Sequence, residues 1–373
     1  MLSGIYSKSS IFSSSVVRTA ASDLIYNKLF PLIRQSINED KPLNMQPLNV
    51  AFSVDIFTSF ALGRKGATDF ITDQAQMRWC HERLQSWQTD AFWIGLVPSA
   101  VFSWMQKVPL LRSLVPPWCI EGGTRTDLEN WTLGLCDHVA DLTSGQKDLQ
   151  GTDDWPLVFA TQQEKLLGVS NGNKQVILPD IDNPNGPQTH SPSPSYPYRR
   201  QIASELIDQL GGALDINGPV LTFLQHELSK RPDLQAALRQ ELLALGPEAF
   251  NTDTQANIPE AILKPLDSQC PLLEAVLFET MRRYPPVGGF QPRLTPTVCT
   301  IGGYDNIPPG VTVQASAWTL HRNPDVFPDP EEWRPERWIE SSPEQLAEMR
   351  RWFWPFSSGP RVCIGRHFVM LGE

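Results

Sequence analysis

The sequence lacks the glycine-rich signatures with which common redox folds hold their cofactors. No Gly-x-Gly-x-x-Gly follows a predicted strand, and no Walker A motif occurs in the chain. A nicotinamide or flavin site of the common type is therefore not predicted. If the chain performs redox chemistry, its electrons must come from another protein.

Long apolar runs are scarce as well. The best of them, residues 50–62, is interrupted by Asp55 and falls short of transmembrane length. The first residues do not form a signal-peptide pattern. The six cysteines lack the spacing of a zinc site, and a chain of 373 residues does not need a disulfide framework. We therefore expect a reducing compartment.

The composition is that of a globular protein with a sizeable core. Hydrophobic residues make up 41% and charged residues 19% of the chain, and the length allows one large domain or two ordinary ones. The net charge of −10 disfavours nucleic acid as a partner.

Apolar residues recur at helical spacing in several stretches of the chain. Helices are predicted on this criterion at residues 23–37, 50–61, 199–228, 232–245 and 267–284.

Outside these helices, the sequence predicts strands, irregular coil and one linker. The β-rich stretches 298–301 and 311–315 are predicted to form a strand pair, and irregular coil is predicted from Phe327 to the cysteine loop described below. Residues 183–198 contain five prolines and are predicted to be an exposed linker. The linker separates a helical region at 1–182 from the region 199–373.

The longest predicted helix, 199–228, contains an interruption. Pro219 cannot donate a backbone hydrogen bond, and its ring crowds the carbonyl of Asp215 four residues earlier. We expect a kink or a local opening there. The alternative is that Gly218 and Pro219 end one helix and begin another.

Two charged residues stand on an otherwise apolar predicted helix. Glu279 and Arg282 are three residues apart and therefore project from neighbouring positions on one face. Charges on a buried face need partners. The alternative for this spacing is an ordinary solvated ion pair.

The chain is organised around a cysteine near its end. Cys363 lies in the loop 356–365, between Gly359 and Gly365, with Arg361 two residues before it. An apolar run after the loop predicts a helix, whose N-terminus would favour a thiolate, a soft metal ligand. Arg361 offers a fork for a carboxylate. The alternative is a free cysteine acting as a small apolar residue.

The pattern Phe-x-x-Gly-x-Arg-x-Cys-x-Gly resembles the haem-binding loop of the cytochrome P450 family, with fungal microsomal members closest. The resemblance implies a mainly α fold with small β-sheets (α+β), a haem cofactor and an axial cysteine thiolate. It implies the iron ligand and the haem contacts at these positions: Cys363, Arg361, Phe356, Gly359, Gly365 and Arg293.

The resemblance extends to a second motif. The family's Glu-x-x-Arg helix locks to a later arginine in a Pro-Glu-Arg-aromatic segment, which is present here as residues 335–338. A structural triad of Glu279, Arg282 and Arg337 beneath the haem loop is therefore implied.

A third motif departs from the family pattern. Counting back from Arg231-Pro232, which resembles a His-Pro of the family, the acid of the central helix is Asp215. The usual threonine position holds Ile216, and Asn217 follows. Asp215 and Asn217 are thus the implied catalytic residues, with the Asn217 amide ordering a water.

The function implied by the resemblance is that of a haem-thiolate monooxygenase acting on a small organic substrate, with secondary metabolism as an association. Electrons would come from an NADPH-dependent reductase, which could dock on Arg350, Arg351, Arg361 and Arg366. Alternatives are a catalytically inactive truncated remnant, or an isomerase or dehydratase that needs no external electrons.

Compared with the family, the chain is expected to be cut at both ends. The missing N-terminal part would include the membrane anchor that places a complete member on the endoplasmic reticulum. Trp79 and Arg83 imitate a propionate-binding pair but come too late in the order, and we interpret them as structural.

Overall fold

Helices build most of this protein, as the apolar periodicity of the sequence predicts. The structure, a computed structural model, describes residues 2–96, 104, 108, 124–144, 152–171, 198–246 and 269–372. The chain divides into two units, Met1–Ile5 with Ser14–Leu214, and Tyr6–Ser13 with Asp215–Glu373. The predicted linker 183–198 lies outside the described residues except for Tyr198.

The first unit is helical throughout its described part. A π-helical segment, Asp23–Leu29, joins the first two α-helices of this unit. Its α-helices are α2 (Ser15–Ser22), α3 (Phe30–Asn38), α4 (Met45–Leu62), α5 (Gln74–Leu96), α6 (Thr124–Thr143), α7 (Leu157–Asn171) and α8 (Arg199–Gly212).

Helix α4 is the centre of this unit, because every side chain from Leu48 to Leu62 is buried. Asp55, which interrupts the apolar run, accepts hydrogen bonds from the backbone N–H groups of Phe70 and Ile71 at 2.8 and 2.9 Å. The Thr68 hydroxyl donates to it at 2.7 Å. Burial raises the pKa of Asp55 to about 6 although these bonds lower it. The carboxyl group thus fixes the loop that follows α4.

Trp79 and Arg83 lie on α5, where the Arg83 guanidinium stacks over the Trp79 ring at 4.2 Å. Arg83 also donates to the Asp127 carboxylate of α6 at 3.2 Å. The first contact is made within α5, and the second joins α5 to α6.

The second unit contains the short helix α1 (Lys8–Phe12), the rest of the helices and all described strands. Its α-helices are α9 (Gly218–Ser229), α10 (Pro232–Leu243), α11 (Pro271–Arg283), α12 (Ala317–Leu320), α13 (Arg337–Glu340), α14 (Pro343–Trp352) and α15 (Arg366–Gly372). Its strands are β1 (Phe290–Leu294), β2 (Cys299–Ile301), β3 (Tyr304–Ile307) and β4 (Thr312–Ser316).

The prediction of a local opening near Pro219 is confirmed. Ala213–Asn217 is a π-helical segment that ends directly before α9. Pro219 has no N–H for the Asp215 carbonyl, so the helical hydrogen-bond register changes in the preceding turn.

The predicted pairing of 298–301 with 311–315 is wrong. β2 pairs with β3 through a tight turn at Gly302 and Gly303, whose φ angles are 60° and 82°. Such positive angles suit two-residue hairpin turns, so β2 finds its partner next in sequence. β4 returns instead to β1, with Phe290 opposite Ser316 and Leu294 opposite Thr312.

The prediction of irregular coil before the cysteine loop is wrong in part. Residues 343–352 form helix α14, whose N-cap Ser342 accepts a hydrogen bond from the Gln345 N–H. Pro343 occupies the first helical turn, where its missing N–H costs nothing. None of the described helices combines the length and the hydropathy that crossing a bilayer requires.

Candidate functional site

The centre of the second unit is a buried ion cluster. Arg282 lies one turn after Glu279 on α11 and binds its carboxylate through two hydrogen bonds of 2.8 Å each. Arg337, on α13, donates to the same carboxylate at 3.0 Å. All three side chains are buried. The structure therefore brings together the three predicted triad residues.

The remaining polar atoms of Glu279 are also occupied. The Trp338 indole N–H and the Arg334 backbone N–H donate to its two oxygens at 2.9 and 2.8 Å. Together with the two guanidinium groups, these donors occupy both carboxylate oxygens. The buried charge is therefore fully hydrogen-bonded in a site without solvent. The sequence did not indicate Trp338 or Arg334 as partners.

The other N–H groups of the Arg282 guanidinium donate to backbone carbonyls in the stretch of chain that precedes α13. The guanidinium donates to the carbonyls of His321, Pro330 and Glu332 at 2.9, 2.8 and 2.8 Å. Arg337 donates to the Pro328 carbonyl at 2.8 Å. Burial lowers the pKa of Arg337, and the neighbouring Glu279 charge raises it. The cluster thus fixes a segment with little regular structure.

His321 extends the cluster towards the cysteine loop. Its Nε2 accepts the Trp354 backbone N–H at 2.8 Å, so the ring proton sits on Nδ1, which faces the Arg282 carbonyl at 3.2 Å. The side chain is fully buried, and this burial lowers its pKa to about 3. No motif or spacing in the sequence singled out His321, because a position after a short helix is no signal of such a role.

The loop that carries Cys363 begins just after Trp354. Ser357 donates its N–H to the Trp354 carbonyl at 3.2 Å and has a φ of 64°. Gly359 follows with a φ of 71°, a conformation that favours glycine. The Cys363 N–H then donates to the Phe356 carbonyl at 2.9 Å and closes the loop.

Cys363 is exposed at the end of this loop, between the exposed apolar residues Val362 and Ile364. Enough protein surrounds the sulfur that desolvation raises the thiol pKa, and this outweighs the backbone N–H groups of Gly365 and Arg366, which lower it. The two N–H groups belong to the start of helix α15 and act in the predicted direction, because they stabilise the thiolate. A bound metal ion would have to displace the proton.

These residues fit a haem. Cys363 is exposed and offers a soft sulfur ligand, and its chain neighbours Val362 and Ile364 expose apolar side chains that a flat apolar ligand would cover. A Cβ added to Gly365 would lie 3.8 Å from the Cys363 sulfur, an ordinary van der Waals contact, so Gly365 lies directly beside the ligand atom.

The other predicted haem contacts are placed as follows. Phe356 is half-buried and packs against the hydrophobic core of the second unit. Arg361 ends a single 3₁₀ turn, Gly359–Arg361, and is exposed. Arg293 is exposed on β1, and its guanidinium donates to the Pro292 carbonyl at 2.9 Å. Arg361 thus lies in the cysteine loop, whereas Arg293 belongs to the strand region.

Asp215 and Asn217 lie in the π-helical segment before α9. Asp215 is half-buried, and Asn217 is buried with only 9% of its surface exposed. The Asn217 Oδ1 atom has no hydrogen-bond partner among the described residues. An unpaired buried acceptor is costly, and a bound water that donates to it would remove the cost.

Acidification should lower the free energy of unfolding, because His321 is buried in its neutral form. Its pKa is depressed from 6.5 to about 3, so the unfolded chain binds the extra proton first and stability falls with acidification below pH 6.5. At pH 5 we expect a loss of about 2 kcal/mol. Asp55 has a raised pKa and acts in the opposite direction, because its stabilising contribution is lost as the pH rises through 6.

Denaturant unfolding of the wild type and of His321→Gln between pH 5 and 7 checks this prediction. The Asp55 contribution cancels in the difference between the two chains. An identical pH dependence in both would contradict the assignment to His321.

Comparisons with known proteins give three findings. A family model for cytochrome P450 matches residues 188–372. All of the chain aligns at 25% identity with 77% of the cytochrome P450 monooxygenase avaI of Aspergillus versicolor. Shorter stretches align with the monooxygenase ORF9 of Penicillium roqueforti, 36% identical over 41% of this chain and 28% of that relative, and with the mitochondrial cytochrome P450 11B2 of Mus musculus, 36% identical over 45% of this chain and 30% of that relative.

Proposed function

The chain belongs to the cytochrome P450 family, and from this premise we propose that it is a haem-thiolate monooxygenase that transfers one oxygen atom from O₂ to a small organic substrate. Members of this family carry a haem whose iron binds a cysteine thiolate. The observation that carries the proposal is the exposed residue Cys363 in a loop closed by the hydrogen bond from its N–H to the Phe356 carbonyl.

Cys363 would supply the axial ligand. When bound, the haem provides oxygen activation, which a donating thiolate favours. Cys363 would hold the iron as a thiolate, and the N–H groups of Gly365 and Arg366 would stabilise the charge on its sulfur. The exposed side chains of Val362 and Ile364 would be covered by the ligand and would keep water from the sulfur.

Asn217 would hold a water in the opened helix turn. A water that donates to Oδ1 satisfies the unpaired acceptor and keeps a second proton for transfer. Asp215, two residues earlier in the same π-helical segment, is the second residue that we propose for catalysis. Ile216 has no hydroxyl, so the amide takes the place that a threonine has in the family pattern.

The electron donor would be an acidic NADPH-dependent reductase. Four exposed arginines surround the cysteine in sequence: Arg350, Arg351, Arg361 and Arg366. Their charge is local, because the whole chain carries −10. Glu348 neutralises part of it through a 3.5 Å ion pair with Arg351.

The biological setting is part of the proposal. The similarity to fungal monooxygenases supports a role in fungal secondary metabolism. Residence of the complete protein on the endoplasmic reticulum follows from the resemblance to microsomal members, although one similar protein is mitochondrial. Import into mitochondria of the tagged full-length protein would overturn this placement.

The proposal is tested by the absorption spectrum of the expressed chain after haem loading, reduction and treatment with carbon monoxide. A Soret band of the thiolate type is expected. The Cys299→Ser variant is the matched control, because Cys299 is a half-buried cysteine on β2 and its loss should leave the band unchanged. The alternative, an inactive remnant, predicts that the chain retains no haem or shows no thiolate band.

A further inference from the structure

We infer that His321 is a positioning residue for the haem ligand, because its imidazole ring joins the buried ion cluster to the backbone from which the Cys363 loop departs. The inference rests on the proposed function, since it assigns His321 a part in placing the iron ligand.

The first step is the attachment of His321 to helix α11. Arg282 holds this residue twice: its guanidinium donates to the His321 carbonyl at 2.9 Å, and its own carbonyl accepts from Nδ1 at 3.2 Å. Arg282 in turn is fixed by two hydrogen bonds to Glu279. The imidazole therefore has little freedom to rotate or shift.

The second step is the orientation of Nε2, the ring nitrogen that carries no proton. The ring lies between Phe353 and Phe327, with centroid distances of 5.3 and 6.5 Å. This packing directs Nε2 to the Trp354 N–H at 2.8 Å. Trp354 stands two residues after the end of helix α14, where the chain leaves regular structure.

The third step leads from Trp354 to the sulfur. The Trp354 carbonyl accepts from Ser357, and the Phe356 carbonyl accepts from Cys363, at 3.2 and 2.9 Å. The loop thus starts at Trp354, whose N–H is held by His321, and closes at the backbone N–H of Cys363 itself. A ligand must be held to within about 0.5 Å of its working geometry, so a shift of Trp354 would displace the sulfur.

Two substitutions separate the roles of the two ring nitrogens. His321→Gln places an amide oxygen near the position of Nε2 and can accept from the Trp354 N–H. His321→Asn places its amide near Nδ1 and keeps the bond to the Arg282 carbonyl but not the bond to Trp354. A purely structural histidine would be replaced equally well, or equally badly, by both.

The first readout is the thiolate-type carbon monoxide band per bound haem. We expect His321→Gln to keep it within about twofold and His321→Asn to lower it roughly tenfold, the equilibrium change of losing one buried hydrogen bond. Rescue by glutamine but not by asparagine supports the inference. Equal loss or equal retention in both variants overturns it.

The second readout needs no haem. The alkylation rate of Cys363 in the haem-free chain, followed by mass spectrometry at that peptide, reports the environment of the sulfur. The alkylation rate of Cys363 should change in His321→Asn and stay near the wild-type value in His321→Gln. If the wild type shows no thiolate band, the proposed function fails, and this rate still decides the inference.

A second pair of variants tests the same bond from its other end. Trp354→Pro removes the donated N–H, and Phe353 already has the extended backbone that precedes proline, with φ −86° and ψ 100°. Trp354→Ala removes the same side chain and keeps the N–H. Of these two variants, only Trp354→Pro should lose the thiolate-type carbon monoxide band. His226→Ala, at an exposed histidine of α9, should leave every readout unchanged.

Discussion

Cys363→Ser should abolish the thiolate-type carbon monoxide band while the folded chain persists. The residue is exposed, and its backbone bond to the Phe356 carbonyl does not depend on the side chain. The unfolding free energy of the haem-free chain should therefore change by less than about 0.5 kcal/mol. A serine oxygen is a harder and weaker donor to iron than a thiolate sulfur, so the loss concerns ligation and not folding.

The measurement compares the reduced spectra with carbon monoxide for the wild type and Cys363→Ser, alongside denaturant unfolding of both haem-free chains. Cys299→Ser controls for the general effect of removing a cysteine. A thiolate-type band that survives in Cys363→Ser would show that another sulfur binds the iron. Unfolding of Cys363→Ser would instead show that the thiol holds the loop together.

The predictable part of the fold is the part with strong local patterns. The buried stripe of α11, which includes Val276, Leu277 and Met281, was sufficient to predict that helix, and its observed end at Arg283 lies one residue before the predicted one. Its predicted beginning, at 267, falls outside the described residues. Helix α4 begins at Met45, five residues before its prediction, because the Asn44 side chain caps it by accepting the Gln46 N–H.

The strand pairing could not be read from β propensity, because pairing depends on which turn closes first. Gly302 and Gly303 close the β2–β3 hairpin within two residues. β4 was left to pair with β1 across a longer connection. A pattern of apolar residues identifies strands but does not choose between a near and a far partner.

The candidate site shows the same limit. Glu279, Arg282 and Arg337 were predicted from a resemblance in the order of motifs, which periodicity alone would not have provided. The backbone carbonyls that Arg282 satisfies carry no side-chain identity and leave no mark in the sequence. His321 was missed for a related reason, since its role depends on a single backbone N–H at Trp354.

Glu279→Gln should be the most destabilising single substitution in the second unit. The change removes one negative charge and leaves Arg282 and Arg337 facing each other in a dry site, with an amide that presents N–H groups to donors. Removing one partner of a buried ion pair costs roughly 3–5 kcal/mol. We expect haem retention and the folded fraction to fall together, without a change in substrate choice for the protein that remains.

Glu331→Gln is the matched control for this prediction. Glu331 also pairs with two arginines, Arg283 and Arg322, at 3.0 and 2.9 Å, but 63% of its side chain is exposed. Solvent screens such pairs, so this change should cost less than about 1 kcal/mol. Denaturant unfolding of both variants measures the two losses of unfolding free energy. If Glu279→Gln were no less stable than Glu331→Gln, the buried cluster would not be what holds the segment from Pro328 to Trp338 against helix α11.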